Sequence, residues 1–254
     1  CLVGSEMCIR DRLMGAALSH DSASVKVRPA AIFWDMDGTL SDSEPLWEKA
    51  IYYTSAQMGR EATPAVRAET VGGTVFDALA ILARWVGRTL TPEEIEHYKG
   101  VMFDYVSELY ATELVLFPGV SNLLEGVRAD GIPQYLTTNT QRAVADPVID
   151  AIGRDFFTDT VCGDEVPNGK PAPDIYLEAA RRANAEPGQC LVFEDSPTGM
   201  RAAVTAGCVV VGLPHDGTTV PDGATPIARL HGGTHLEGAT VADMYRWYAE
   251  LVCT

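Results

Sequence analysis

Residues 30–40 read Ala-Ala-Ile-Phe-Trp-Asp-Met-Asp-Gly-Thr-Leu. The apolar run 30–34 follows Pro29 and stops at Asp35. An unbroken apolar run of this length fits a strand buried on both faces of a parallel sheet. Asp35 and Asp37 then leave the strand at the edge where open α/β folds place ligands. In an extended chain both carboxylates would lie on one side. One aspartate can accept a phosphoryl group. A second can protonate the leaving oxygen and afterwards activate water. Gly38 permits the tight bend that gathers backbone N–H groups around a phosphate. Taken alone, the motif reads as well as a surface Asp-Gly turn.

Further strands are predicted at 133–138 (PQYLTT), 160–162, 190–193 (CLVF) and 208–213 (CVVVGL). Helical patterns fall between them at 120–129, 143–152, 174–183 and 199–206. This alternation predicts an α/β fold, a Rossmann-like parallel sheet covered on both faces. Residues 42–115 break the rhythm with long helical patterns at 44–58, 74–86 and 92–114 and no convincing strand. Thr91-Pro92-Glu93-Glu94 has the form of an N-cap, a first-position proline and an acidic first turn. A segment so long is no loop. It reads as an inserted helical cap domain at 44–115, with core segments at 29–43 and 116–254 and Phe117-Pro118-Gly119 marking the return. The tail 214–238 reads as loops around one weak strand, and 241–251 as a closing amphipathic helix.

Polar groups stand at the other strand ends too. Thr137-Thr138-Asn139 follows the second strand, where a hydroxyl can donate to a phosphoryl oxygen, although helix capping explains the same residues. Lys170, in Asn168-Gly169-Lys170-Pro171-Ala172-Pro173, is one of only four lysines. Its compact charge could offset phosphate, or it could be a solvated loop residue. Glu194 and Asp195 follow the fourth strand and suit hard-oxygen coordination of Mg2+, or Asp195 or Ser196 simply caps the next helix. Any one of these is an easy coincidence. Four in order at four strand ends are not.

The formal net charge is −16, from 35 acidic and 19 basic residues, which argues against nucleic-acid or anionic-membrane partners. No apolar stretch approaches the roughly eighteen residues of a membrane span. The six cysteines contain no CxxC pair, and Cys190 and Cys208 sit in or beside apolar runs, so a reducing cytoplasm is expected. Residues 1–28 are read as an extension. Its first part, Cys1 to Arg12 (CLVGSEMCIRDR), has no clear period and no secretory pattern; it is expected to be non-native, with Met14 as the native start.

Together these motifs resemble the haloacid dehalogenase superfamily over roughly residues 30–213. The resemblance implies Asp35 as nucleophile, Asp37 as general acid/base, and Gly38, Thr138, Asn139 and Lys170 around the phosphate. It also implies Mg2+ held by Asp35, the Asp37 carbonyl and the acidic pair Glu194 and Asp195. Asp37 weighs against carbon–halogen hydrolysis, because the dehalogenase branch normally lacks it. Ser43-Glu44-Pro45-Leu46-Trp47 and Glu194-Asp195-Ser196-Pro197-Thr198-Gly199-Met200 are similar to the beta-phosphoglucomutase and sugar-phosphatase branch. Mutases of that branch usually carry His where Trp47 falls and basic residues in the loop that here reads Val71-Gly72-Gly73-Thr74-Val75. Trp47, Arg67, Gly72, Gly73 and Thr74 are therefore the candidate cap residues toward substrate, with Trp47 chiefly a packing residue and Arg67 a substitute grip for a second phosphate. His97, His215, His231 and His235 show no metal-ligand spacing and read as surface or loop residues. The expectation is a monomeric, Mg2+-dependent phosphatase of a small phosphate ester. A phosphosugar mutase and a non-catalytic binding member are the alternatives.

Overall fold

Alternate side chains of the first strand, β1 (Ala31–Trp34), enter different cores: Ile32 and Trp34 one, Ala31 and Phe33 the other. Period-two alternation with both faces apolar requires a cover on each side. The computed structural model describes residues 27–71, 74–215 and 218–253. Within these, β1 is joined by β2 (Gln134–Thr137), β3 (Asp159–Val161), β4 (Cys190–Glu194), β5 (Val209–Gly212) and β6 (Ala224–Pro226). The sheet is parallel throughout, in the order β3-β2-β1-β4-β5-β6. The chain builds outward from β1 to β3, then crosses to β4 on the other side. The gap between β1 and β4 is thus the switch point at which ligands bind in such sheets. Trp34 pairs in register with both Leu136 and Phe193, which brings the ends of β1, β2 and β4 level.

Four helices follow β1: α1 (Glu44–Gln57), α2 (Pro64–Thr70), α3 (Val75–Val86) and α4 (Pro92–Glu113). They form a cap-like region. The sequence reading lacked α2, which is only seven residues long. Thr91 caps α4 as expected: its Oγ1 accepts the Glu94 N–H at 3.2 Å, and Glu94 Oε2 accepts the Thr91 N–H at 2.9 Å. Helix α4 packs against α1 and also against α6 (Arg142–Ile152), the helix after α5 (Val120–Ala129). On the opposite face of the sheet lie α7 (Asp174–Ala183) and α8 (Pro197–Ala206). A short α9 (Ile227–His231), within a segment read as loops, precedes α10 (Val241–Val252). Among the described residues no helix is long and apolar enough to cross a membrane. The expected extension falls almost wholly outside the described residues.

Candidate active site

Asp35 is the first residue beyond β1, and its N–H donates to the Phe193 carbonyl at 3.1 Å, which anchors it at the switch point. It is buried, at 6% exposure. Lys170 arrives from the loop before α7. Its Nζ donates to Asp35 Oδ1 at 2.5 Å, to Glu194 Oε1 at 2.7 Å and to the Thr137 carbonyl at 3.2 Å. Asn139, expected at the phosphate, has both ends of its carboxamide on the Lys170 backbone: Oδ1 accepts the Lys170 N–H at 2.7 Å and Nδ2 donates to its carbonyl at 3.1 Å. Its visible contribution is to position Lys170. Thr138 Oγ1 accepts the Thr140 N–H at 3.0 Å, which leaves its own O–H as a donor.

Burial and the charges of Glu194 and Asp195 push the Asp35 carboxyl well above its ordinary range, against the pull of Lys170. Burial disfavours the charge on Lys170, but Asp35 and Glu194 outweigh it and keep the ammonium protonated.

Asp37 occupies a different environment. Its Oδ1 accepts from Ser43 Oγ at 2.7 Å and its Oδ2 from Thr140 Oγ1 at 3.1 Å. Burial raises its carboxyl, and the two hydroxyl donors partly oppose the rise. Neither Ser43 nor Thr140 is among the site residues expected from the sequence. Thr140 follows the quoted Thr-Thr-Asn by one residue, so a wider window at that strand end could have found it. Ser43 opens the quoted Ser43-Glu44-Pro45-Leu46-Trp47 stretch, but nothing local aims it at Asp37, since its partner is decided by how the chain turns after Gly38.

That turn also packs Asp195. Gly38 has φ +83, and a Cβ added there would lie 2.3 Å from Asp195 Oδ2. Asp195 Oδ1 accepts from Thr39 Oγ1 at 3.3 Å. His215, read as a loop residue, lies at the site: its Nε2 is 3.0 Å from the Gly38 carbonyl and 3.4 Å from Asp195 Oδ2. Its signal was a polar side chain just past the end of β5. Burial, then the charge of Glu194, raise the Asp195 carboxyl to about 6, while His215 and Lys170 oppose the rise.

Asp35, Glu194 and Asp195 each bring a carboxylate oxygen within 4.8 Å of the others. Burial and their mutual repulsion raise Asp35 and Asp195 beside a single lysine, and a hard cation would offset that charge through oxygen ligands and favour the ionised carboxylates. The residues therefore fit Mg2+. Glu194 is already engaged at both oxygens: Oε1 by Lys170, and Oε2 by the Ser196 N–H at 2.8 Å and Ser196 Oγ at 3.0 Å. Asp35 accepts from Lys170 through Oδ1, and the contacts on Asp195, 3.3 Å from Thr39 and 3.4 Å from His215, are longer than these. Ser196 also caps α8 through the Gly199 N–H at 3.0 Å, so the capping reading holds for Ser196 while Asp195 faces the site.

Asp37, Ser43 and Thr140 line a cavity of about 640 Å³ between the sheet edge and the cap-like helices. Trp47 lies on its wall and packs edge-to-face on Phe103, with ring centroids 6.4 Å apart. Arg67 is also on the wall, but it is ion-paired with Glu44, which alters the expectation of an available second-phosphate grip. Thr74 lines the cavity as well, with its hydroxyl engaged in capping α3: Oγ1 accepts the Asp77 N–H at 3.2 Å and donates to Asp77 Oδ2 at 2.7 Å. Gly72 and Gly73 lie outside the described residues. Lys99 was not foreseen on this wall.

Residues 29–207 match the haloacid dehalogenase-like hydrolase family. The chain belongs to that family. This hydrolase is 33% identical over 178 residues to the phosphorylated carbohydrates phosphatase of Thermotoga maritima, covering 70% of its own chain and 81% of the relative. It is 31% identical over 201 residues to the phosphoglycolate phosphatase of Shigella boydii, with 72% and 80% covered. The crystal structure of CbbY from Rhodobacter sphaeroides in complex with phosphate superposes with a TM-score of 0.69 at 27% identity, covering 85% of this hydrolase and 98% of that chain. The matches thus span several branches rather than one. Membership supports phosphoric monoester hydrolysis as the class of reaction.

Proposed function

We propose that this hydrolase is a Mg2+-dependent phosphatase of a small phosphorylated metabolite, a sugar or polyol phosphate, acting through an aspartyl-phosphate on Asp35. The observation that carries the reading is the unlike surroundings of two neighbouring carboxylates. Asp35 is held by Lys170 at the switch point, while Asp37 turns onto Ser43 and Thr140 at the cavity wall. Carboxylates in environments so different divide nucleophile from acid/base.

Asp35 attacks phosphorus and the ester oxygen leaves with the proton of Asp37. Asp37, now ionised, takes a proton from water as it attacks the aspartyl-phosphate, releasing phosphate and restoring both residues. Lys170 and the Thr138 hydroxyl stabilise the phosphoryl oxygens, whereas the Gly38, Leu40 and Ser41 N–H groups, expected around the phosphate, are taken up within the turn by the Ser41 and Met36 carbonyls. A bound Mg2+, held by Asp35, Asp195 and the Asp37 carbonyl, would offset phosphoryl charge. Glu194 fixes Lys170. The same reading takes the enzyme as a cytoplasmic monomer, and the buried free thiols of Cys162, Cys190 and Cys208 are in keeping with a reducing compartment.

The test is phosphate release across a panel of metabolite phosphates, with Asp35→Asn beside the wild type. The amide is no nucleophile, so turnover should fall at least about 10³-fold with the fold intact by circular dichroism. Near-normal release by Asp35→Asn would overturn the covalent mechanism. For the mutase alternative, beta-glucose 1-phosphate is supplied with and without glucose 1,6-bisphosphate. Isomerisation faster than phosphate release would favour the mutase.

A further inference from the structure

His215 is the third residue beyond β5, and the chain leaves that strand beside the acidic pair: the Leu213 N–H donates to the Glu194 carbonyl at 2.7 Å. The imidazole Nε2 lies 3.0 Å from the Gly38 carbonyl and 3.4 Å from Asp195 Oδ2. A carbonyl oxygen only accepts, so the Nε2 that bonds it carries a proton. The same N–H faces Asp195 from beyond hydrogen-bond length but within electrostatic reach. One donor is thus shared by the turn after β1 and by the carboxylate packed against that turn. Thr39 Oγ1, 3.3 Å from Asp195 Oδ1, approaches the carboxylate from its other oxygen.

The ring has a seat of its own. Its centroid is 5.9 Å from that of Phe117 and 6.1 Å from that of His235, and Phe117 stacks on His235 at 5.3 Å. Phe117 in turn donates its N–H to the Leu40 carbonyl at 3.0 Å, in the same turn as Gly38. Among the described residues, His215 is not on the wall of the cavity that Asp37 lines, so it reaches the carboxylates rather than the substrate.

We propose that His215 is a positioning residue for the metal site, its Nε2–H tying Asp195 to the Gly38 turn and so setting the affinity for Mg2+. This rests on the Mg2+-dependent phosphatase reading and adds a residue to the same site. The role belongs to the N–H rather than to the ring, because the ring's packing is met by Phe117 and His235 while the N–H alone touches the turn and Asp195.

Isothermal titration calorimetry with MgCl2 at pH 7.5 on the full chain tests this, beside the Mg2+ dependence of phosphate release from p-nitrophenyl phosphate. His215→Phe keeps an aromatic ring against Phe117 and His235 and removes the donor. His215→Gln restores an N–H at a similar reach. The side chain is 42% exposed, so both variants should retain the fold by circular dichroism. His215→Phe should raise the Mg2+ dissociation constant about tenfold, the scale of one hydrogen bond, and move the half-saturation of activity in parallel. His215→Gln should stay within about threefold of wild type. An unchanged dissociation constant in folded His215→Phe overturns the inference. So does His215→Gln binding as weakly as His215→Phe, which would assign the role to ring packing. A loss of turnover at saturating Mg2+ with binding unaltered overturns it too. Wild type that binds no Mg2+ removes both the inference and the metal-dependent reading. Wild type that binds Mg2+ more tightly than His215→Phe, with His215→Gln restoring it, yet releases no phosphate, supports the inference and removes only the phosphatase reading.

Discussion

Ser43 caps α1 by position but makes no capping bond; its hydroxyl goes to Asp37 instead. A donor to an ionised carboxylate favours the ionised form, so removing it raises the carboxyl further. The water-activating step needs Asp37 ionised. Ser43→Ala should therefore move the acidic limb of the kcat profile to higher pH, with a loss of about tenfold near pH 6 and a smaller one near pH 8. A pH–rate series on both proteins checks it, and an unmoved limb would place Ser43 outside the acid/base machinery. Gly38 is constrained in another way. Gly38→Ala faces both a positive φ and the Asp195 carboxylate, so Mg2+ titration of activity should show weakened metal dependence together with lower turnover.

Among the elements, α8 shows why propensity alone misleads. Replacing a helical glycine by alanine ordinarily stabilises by up to about 1 kcal/mol. Gly199, in the first turn of α8, instead makes room for Glu194: an added Cβ would fall 1.5 Å from its Oε1. Glu194 is fully buried and holds Lys170 and Ser196. Gly199→Ala is expected to destabilise by several kcal/mol and to unseat Lys170, because a buried carboxylate loses its place in an ion-pair network. Thermal unfolding beside a phosphate-release assay tests this, and a variant more stable than wild type would contradict it. Strands and long helices were legible from apolar periodicity, as in 190–193 against β4 (Cys190–Glu194) and 174–183 against α7 (Asp174–Ala183). The shorter α2 and α9 were not, because five to seven residues give too few turns for a period to stand out.

At the scale of the whole molecule, the site concentrates negative charge that folding must desolvate. Asp195 is raised to about 6 by burial and then by Glu194, and burial raises Asp35 and Asp37 as well. Between about pH 4 and pH 6 the folded state therefore holds protons that the unfolded chain has released, and stability falls as pH rises through that window. Glu178, held down to about 2 by its bonds from Arg181 and then Arg182, opposes this only below about pH 4.5. With a chelator present, the Tm should be higher at pH 5 than at pH 7.5, with Asp195 contributing on the order of 1–3 kcal/mol. Added Mg2+ should stabilise more at pH 7.5 than at pH 5, since it must displace protons at the lower pH. Differential scanning calorimetry at the two pH values, with and without Mg2+, measures both effects. A Tm that climbs with pH under chelation would contradict the account.

The sequence by itself determined the sheet's strands and the order of polar groups at their ends. Apolar periodicity is local, and a carboxylate or lysine that interrupts it is visible without knowing its neighbours. So Asp35, Asp37, the Thr137-Thr138-Asn139 stretch, Lys170 and the Glu194-Asp195 pair stood out as candidates from residues, and the family resemblance assigned their expected roles. Only the tertiary structure decided what each group touches. Thr140 reaches Asp37 across 103 residues, His215 reaches Gly38 across 177, and Asn139 meets the Lys170 backbone across 31. The Glu44–Arg67 pair likewise joins α1 to α2 across 23 residues. These partners depend on strand order and on how the helices after β1 settle over the sheet edge. That packing is set by the summed burial of many apolar side chains, and no short window of sequence contains it.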